Sequence, residues 1–299
     1  MPNNENPMAA DNDDSAECAF LADLTPSLLP HYQYRGPQQF IQDYEHARET
    51  TMESTEWFLL EGLPRDAFEQ HFCLAETSPF RNWSAYSSSL NRLVARMPRE
   101  AHEIATSTFL ELITEAQIAM GLRRSLRSLL ATTAYQGGDA KQADNAWIPA
   151  HTPIGRRRTR FDQINADPAQ GRPWPSAVLE VGLSDSESER KLKGDVRWWL
   201  RASSAEVRLV FTININRTRP ELVIESWVPH PHRDGGRLDS TVTIEKDEDG
   251  RVTVRGAPLV ISFERLFLRA PDGEREGDIE IEEGDLQDLA EAVWESQGF

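Results

Sequence analysis

The stretch WPSAVLEVGLSDSESERKLKGDVRWWL, residues 174–200, decides the fold. Its first part, AVLEVGL at 177–183, is an apolar run of strand length, continuous enough to be buried on both faces. Ser184-Asp185-Ser186 ends that run, and a helix follows over 187–202, with Leu192, Val196 and Trp199 on one line at i, i+4 and i+7. Beyond it, VRLVFTINI (207–215) and LVIESW (222–227) read as strands separated by a turn at Arg219-Pro220.

Working outward, the stretch 98–130 is helical in pattern. Its apolar residues Ile104, Phe109, Leu112, Ile113, Ala116, Ile118 and Met120 keep close to helical spacing. Pro98 suits a first turn, and Glu100 and Glu103 complement the positive helix start. Gly121 interrupts the pattern before a second segment, 122–130, bearing Arg123, Arg124 and Arg127. Gly137-Gly138 marks a turn and 143–148 a strand. Towards the end, 240–246 and 251–255 form a hairpin around Asp249-Gly250, followed by a strand at 259–263 and a helix at 285–296. Helix, strands, helix and strand in that order make an α/β chain with one central sheet.

The beginning of the chain differs. Residues 1–16 are acidic and nearly devoid of large apolar groups, the composition of a disordered tail. Residues 17–83 mix short apolar pieces with Pro26, Pro30, Pro37, Pro64 and Pro79, which predicts short helices forming an extension packed on a neighbouring core. The main domain is then expected over 84–299.

Charge is distributed unevenly. The chain carries −17 overall, which disfavours non-specific binding to phosphates. Residues 1–120 hold 7 basic and 19 acidic side chains and residues 216–299 hold 10 and 20, whereas 121–215 hold 15 basic and 10 acidic. The middle alone is basic, and the chemically suggestive residues fall there. No apolar run reaches the roughly 18 residues of a membrane span, and no basic start followed by an apolar stretch marks a secretory signal. Cys18 and Cys73 lack metal-type spacing and read as idle or buried thiols, in keeping with an intracellular location, cytoplasmic or nuclear.

Glu180 is the anomaly of the decisive stretch. It interrupts a buried strand, where an ionised carboxylate is penalised unless it is paired, hydrogen-bonded or on a metal. Asp144 occupies a similar place beside Ala143 and Ala146-Trp147. Two carboxylates on neighbouring strands converge readily on a hard divalent cation, which can activate water and neutralise a cleaving phosphodiester. The structural alternative is that Glu180 pairs with an arginine and Asp144 ends a turn. A lysine completes such chemistry, but Gly182 stands two places after Glu180, leaving Lys191 and Lys193 on the following helix, or Lys141, as substitutes. Lys191 and Asp195 share a helix face. His102-Glu103 lacks the second histidine of a zinc-protease helix, and His230-Pro231-His232 reads as a solvated loop. Arg156, Arg157, Arg158 and Arg160 form a basic cluster suited to phosphates, nuclear import or plain solvation. Of Trp198-Trp199, at least Trp199 belongs to a core.

The segments GGDAKQADNAWIP (137–149) and 174–200, with ARMPREAHEIA (95–105) before them and ISFERLFLRAP (261–271) and GDIEIEEGDL (277–286) after, resemble a fungal branch of the PD-(D/E)xK nuclease-like superfamily over roughly residues 84–290. The resemblance implies a restriction-endonuclease-like core of helix, three strands, helix and strand (αβββαβ), with a central mixed sheet flanked by helices and a C-terminal hairpin and helix added. It implies Glu103 as the acidic residue of the first helix, Asp144 as the "PD" aspartate and Glu180 as the acid of "(D/E)xK". These three would hold Mg²⁺ or Mn²⁺, Lys191 would assist the attacking water, and the basic cluster with Lys193 would meet DNA or RNA. Ala143 stands where the motif has proline, and Gly182 where it has lysine. The expected function is therefore a metal-dependent phosphodiesterase. The alternative is a catalytically degenerate nuclease fold that binds or scaffolds, with a protein partner or a second copy of the chain.

Overall fold

The computed structural model describes residues 29–51, 55–73, 79–150, 173–184, 186–233 and 236–299. The first elements are β1 (His31–Gln33), α1 (Pro37–Thr51), β2 (Trp57–Glu61), a short α2 (Arg65–Phe68) continued by a π-helical turn (Glu69–Cys73), β3 (Trp83–Ser87) and β4 (Arg92–Arg96). There follow α3 (Glu100–Ala119), β5 (Leu126–Ser128), β6 (Thr133–Gln136), β7 (Asp139–Gln142), β8 (Asn145–Pro149), β9 (Ala177–Ser184) and α4 (Ser186–Ala202). The last are β10 (Leu209–Asn216), β11 (Glu221–Val228), β12 (Arg237–Lys246), β13 (Val252–Arg255), β14 (Leu259–Ile261), α5 (Phe263–Phe267), β15 (Ile279–Ile281) and α6 (Glu283–Gln297).

These elements divide into two units, Met1–Pro98 with Tyr135–Gln142, and Arg99–Ala134 with Ala143–Phe299. The second unit is built on a seven-stranded mixed sheet in the order β13-β12-β11-β10-β9-β8-β5. Strands β9 and β10 are parallel, with Glu180 opposite Thr212, while the other pairings in this sheet are antiparallel. A parallel pair needs a crossover, and α4 supplies it between them. On one face, Ala105, Phe109 and Ile113 of α3 and Leu289, Val293 and Trp294 of α6 pack with Leu179, Val181, Phe211 and Ile213. On the other, Val196, Trp199 and Leu200 of α4 cover Ala146, Val178 and Val210. The doubly apolar run at 177–183 is thus a middle strand covered by helices on both sides.

In the first unit, six strands form a sheet in the order β1-β2-β4-β3-β7-β6. Its core is aromatic: Phe40 and Tyr44 of α1 meet Phe58, Phe68, Phe72, Trp83 and Tyr86. The expectation of a helical extension over 17–83 is corrected for residues from 29 onward, which build a mixed sheet with its own core. Prolines 64 and 79 punctuate the chain between strands, and the short runs WFLL and RLVAR, bounded by turns, are strands. The boundary expected at 84 moves to 98, and the chain returns to the first unit at 135–142. The segment after Gly121 is no helix but a turn followed by strand β5. The tail expected at 1–16 lies outside the described residues. Among the described residues no helix is long and apolar enough to cross a membrane.

Phe109, Trp147 and Phe211 form a buried triad, with ring centroids 5.2–6.4 Å apart. Phe211→Ala is expected to lower the stability of the second unit by about 3–5 kcal/mol in a urea melt. A loss under about 1 kcal/mol would show that this cluster does not organise the core.

Candidate functional site

Successive side chains of β9 alternate between its two covered faces. Leu179, Val181 and Leu183 join the α3 side, whereas Val178 joins the α4 side. Glu180 shares the parity of Val178 and is only 3% exposed. Its Oε1 accepts a 2.5 Å hydrogen bond from the indole Nε1–H of Trp199. Trp199 is held in turn by the rings of Trp174 and Trp198, with centroids 6.2 and 4.9 Å away. On the next strand, Thr212 faces Glu180 and its hydroxyl lies 3.5 Å from Glu225 Oε2.

Asp144 is placed by pairing on the other side of β9. Asn145 stands opposite Leu179 and Ala146 opposite Val178, so the same register carried one step further sets Asp144 opposite Glu180. The Asp144 N–H donates to Leu179 O at 3.2 Å, and the Val181 N–H donates to Asp144 Oδ2 at 2.6 Å. A backbone donor on a carboxylate is among the stronger hydrogen bonds in a protein. Oδ1 of the same carboxylate lies 3.1 Å from His102 Nε2, and both side chains are 2% exposed. Asp144 therefore ties strand β9 to the first turn of α3.

Helix α4 lies low over the end of β9 because residue 182 has no side chain. A Cβ at Gly182 would come within 3.2 Å of Leu192 Cδ1 and 3.3 Å of Leu192 Cγ. A side chain beginning there would require Leu192 to give by a few tenths of an ångström. Its neighbour Lys191 is 5% exposed, and the ammonium donates to Asp195 Oδ2 at 2.6 Å, one helical turn on. Lys191, Asp195 and Trp199 follow at i, i+4 and i+8 along α4, so the helix presents a cation, an anion and an indole donor in one row.

The structure brings Asp144 and Glu180 to facing positions and buries Lys191 on the helix that covers Glu180. It does not bring Glu103 to them: that side chain is exposed, and His102, one residue earlier, makes the contact. His102 was legible in principle, because it falls with Ala105, Phe109 and Ile113 on the core line of α3. Lys193 is on the outer face of α4, bonded to Glu189 at 2.6 Å. It lines a cavity of about 290 Å³ that also holds Glu221 and Glu225, acidic company for a phosphate. Lys141 is buried on β7 in the first unit. Arg156, Arg157, Arg158 and Arg160 lie outside the described residues.

Among the described residues, no group of three or more His, Cys, Asp and Glu side chains is gathered into a ready-made metal cage. Asp144 meets His102 of α3 and Glu180 meets Trp199 of α4, so the two carboxylates, although opposite in register, are each held by a different helix.

No family model matches the sequence, and no curated protein matches it. Among solved structures, the chain is similar to a crystal structure from Anabaena variabilis ATCC 29413 described as a "putative nuclease belonging to DUF820". The two share 14% identity over 77% of this chain and 99% of that one, with a TM-score of 0.41. Likeness at that level transfers no residue role from one chain to the other.

Two stability experiments probe this geometry. Gly182→Ala is expected to destabilise the protein by about 1 kcal/mol, and by clearly less in a Leu192→Ala background. Equal losses in the two backgrounds would mean that Leu192 does not limit the approach. Separately, Lys191→Met or Asp195→Leu alone strands one buried charge and should cost about 3–5 kcal/mol, while the double replacement costs less than either. Strictly additive losses would remove the pair as an energetic unit.

Proposed function

We propose that this chain is a metal-dependent phosphodiesterase of the PD-(D/E)xK nuclease type, acting intracellularly on DNA or RNA. The single observation that carries the reading is the pair of buried carboxylates, Glu180 on β9 and Asp144 just before β8 at the position opposite it in register, with Lys191 buried on the helix that bonds Glu180. Burying several ionisable groups at one end of an apolar sheet costs stability, and such groups concentrate where chemistry needs them.

In this reading, Asp144 and Glu180 are the residues that would hold a Mg²⁺ or Mn²⁺ ion. A bound dication supplies a water of lowered pKa and offsets charge on the phosphate. The remaining work belongs to the chain. The Val181 N–H fixes one Asp144 oxygen and the Trp199 indole fixes one Glu180 oxygen, so neither carboxylate needs to reorganise during the reaction. Lys191, paired with Asp195, would place an ammonium on the α4 side of the site to meet the charge that builds on the phosphoryl oxygens. As the water oxygen bonds to phosphorus, the bond to the leaving oxygen breaks, and the proton that the water gives up ends on that leaving oxygen. Lys191 would take the place of the lysine that the motif carries where this chain has Gly182.

One observation favours the second reading, a nuclease fold kept for binding. Glu180, Asp144 and Lys191 each already have a protein partner in Trp199, Val181 with His102, and Asp195. Such a network can serve structure alone.

Cleavage of labelled single- and double-stranded DNA and RNA with Mg²⁺ or Mn²⁺ separates the two. Asp144→Asn and Glu180→Gln are each expected to slow cleavage by a factor on the order of 100 or more while circular dichroism stays native. Cleavage that survives both replacements removes these residues from the mechanism, and wild-type protein that binds nucleic acid without cutting it supports the second reading.

A further inference from the structure

We propose that the cavity where residues 229–233 and Gly236 meet the last turn of α4 is a phosphate-binding site, taking one phosphate group of a nucleic-acid strand or a free phosphate ion. The site needs no metal and does not depend on whether a strand is cut.

The lining sets the sign of the ligand. The cavity, of about 470 Å³, takes Arg201 from α4 and His230, His232 and Arg233 from the chain after β11. Among the described residues that line it, none is acidic. The next residue, Asp234, lies outside the described residues. The cavity beside Lys193 is the opposite case, since it gathers Glu189, Glu221 and Glu225, and its lysine and Arg219 are already paired with two of them. A chain of net charge −17 repels phosphate over much of its surface. Salt confines such fields to about 10 Å, so the charges that line a cavity count for more than the total.

The donors are held in place before any ligand arrives. The His232 N–H donates to His230 Nδ1 at 3.1 Å, and the two rings stand 6.0 Å apart. Because that nitrogen accepts, a neutral His230 carries its proton on Nε2 and remains a donor. The Arg233 N–H closes a turn onto His230 O at 3.4 Å. Gly236 has a φ of +83°, and a Cβ there would meet Leu200 and come within 2.6 Å of Val228 O. The chain thus returns hard against the ends of α4 and β11, a close approach that only glycine permits. Donors fixed in this way lose little freedom on binding.

A helix C-terminus ordinarily repels an anion. Here the Ala205 and Ser204 N–H groups donate to Leu200 O at 3.2 Å and to Arg201 O at 3.0 Å, so these last carbonyls are satisfied. What α4 offers the cavity is the Arg201 side chain, about 15 Å along the helix axis from Lys191. Two guanidinium groups and two imidazoles from two elements suit an anion with oxygens in several directions, which a phosphate has and a flat carboxylate lacks.

The test measures binding of a short labelled single-stranded oligonucleotide to the full-length protein by fluorescence anisotropy, with a chelator present so that no strand is cut. Titrations run at about pH 6 and about pH 8, between which histidine changes charge while phosphodiesters and sulfate do not. The strand is expected to bind more tightly at the lower pH. His230→Asn with His232→Gln, in which asparagine keeps an acceptor for the residue 232 N–H, should flatten that dependence. Arg233→Gln should weaken binding about tenfold and reduce the slope of log affinity against log salt by about 0.7. Arg251→Gln, the same charge change at the exposed hairpin tip, should do neither. Sulfate that displaces the strand, and whose own binding is lost in Arg233→Gln, supports the site with a free phosphate ion as its ligand. Sulfate no more effective than chloride of equal ionic strength supports it with a strand phosphate. Wild-type protein that binds neither strand nor sulfate overturns the site, as does a pH dependence that survives the histidine replacements or an equal loss in Arg251→Gln. A glutamate-rich peptide bound as tightly as the strand overturns the phosphate assignment. Binding that follows these residues without cleavage sinks only the phosphodiesterase reading, and cleavage with binding indifferent to them sinks only this site.

Discussion

A carboxylate on a middle strand must be met by a donor, and the meeting of Glu180 with Trp199 governs the arrangement of everything around it. The indole fixes where α4 lies over β9, since Trp199 also carries the aromatic contacts with Trp174 and Trp198. Once α4 is seated there, Leu192 falls on Gly182 and Lys191 is drawn under cover with Asp195. On the far side of the same strand, Asp144 answers with a bond to Val181 and a contact with His102. Two buried carboxyl groups thus link strand β9 to a helix on either side of the sheet.

The two halves of the site are built differently. Asp144 is anchored largely by backbone, through Leu179 and Val181, so its position follows from the sheet itself. Glu180 and Lys191 are anchored by side chains of α4, so their positions follow from how that helix packs. Movement of α4 would disturb the second pair while sparing the first. No single cut separates the two units either, because the chain leaves the first at 98, returns for 135–142, and reaches Asp144 immediately after leaving it again.

Much of the second unit was legible in the sequence. The run at 177–183 announced a strand buried on both faces, and the i, i+4, i+7 line of Leu192, Val196 and Trp199 announced the helix over it. Glu180 stood out because a lone carboxylate contradicts such a strand. The first unit was less readable, since its strands are short, aromatic and separated by prolines that equally punctuate helices. At His102-Glu103 motif and helix disagree: the resemblance selects the acid, whereas the helix turns only the histidine inward. Lys191 could not be placed at all, because its burial depends on the depth at which α4 settles, and that depth is set by the absent side chain at 182.

That missing side chain also bears on how such a protein can change over generations. With leucine filling the gap above glycine, a lone codon change to lysine at 182 would meet an occupied space and a rival ammonium already installed on the helix. Such a change would call for a matching one at Leu192. Positions 182 and 192 are thus coupled, and a larger side chain at the first is most easily accommodated where the second shrinks with it.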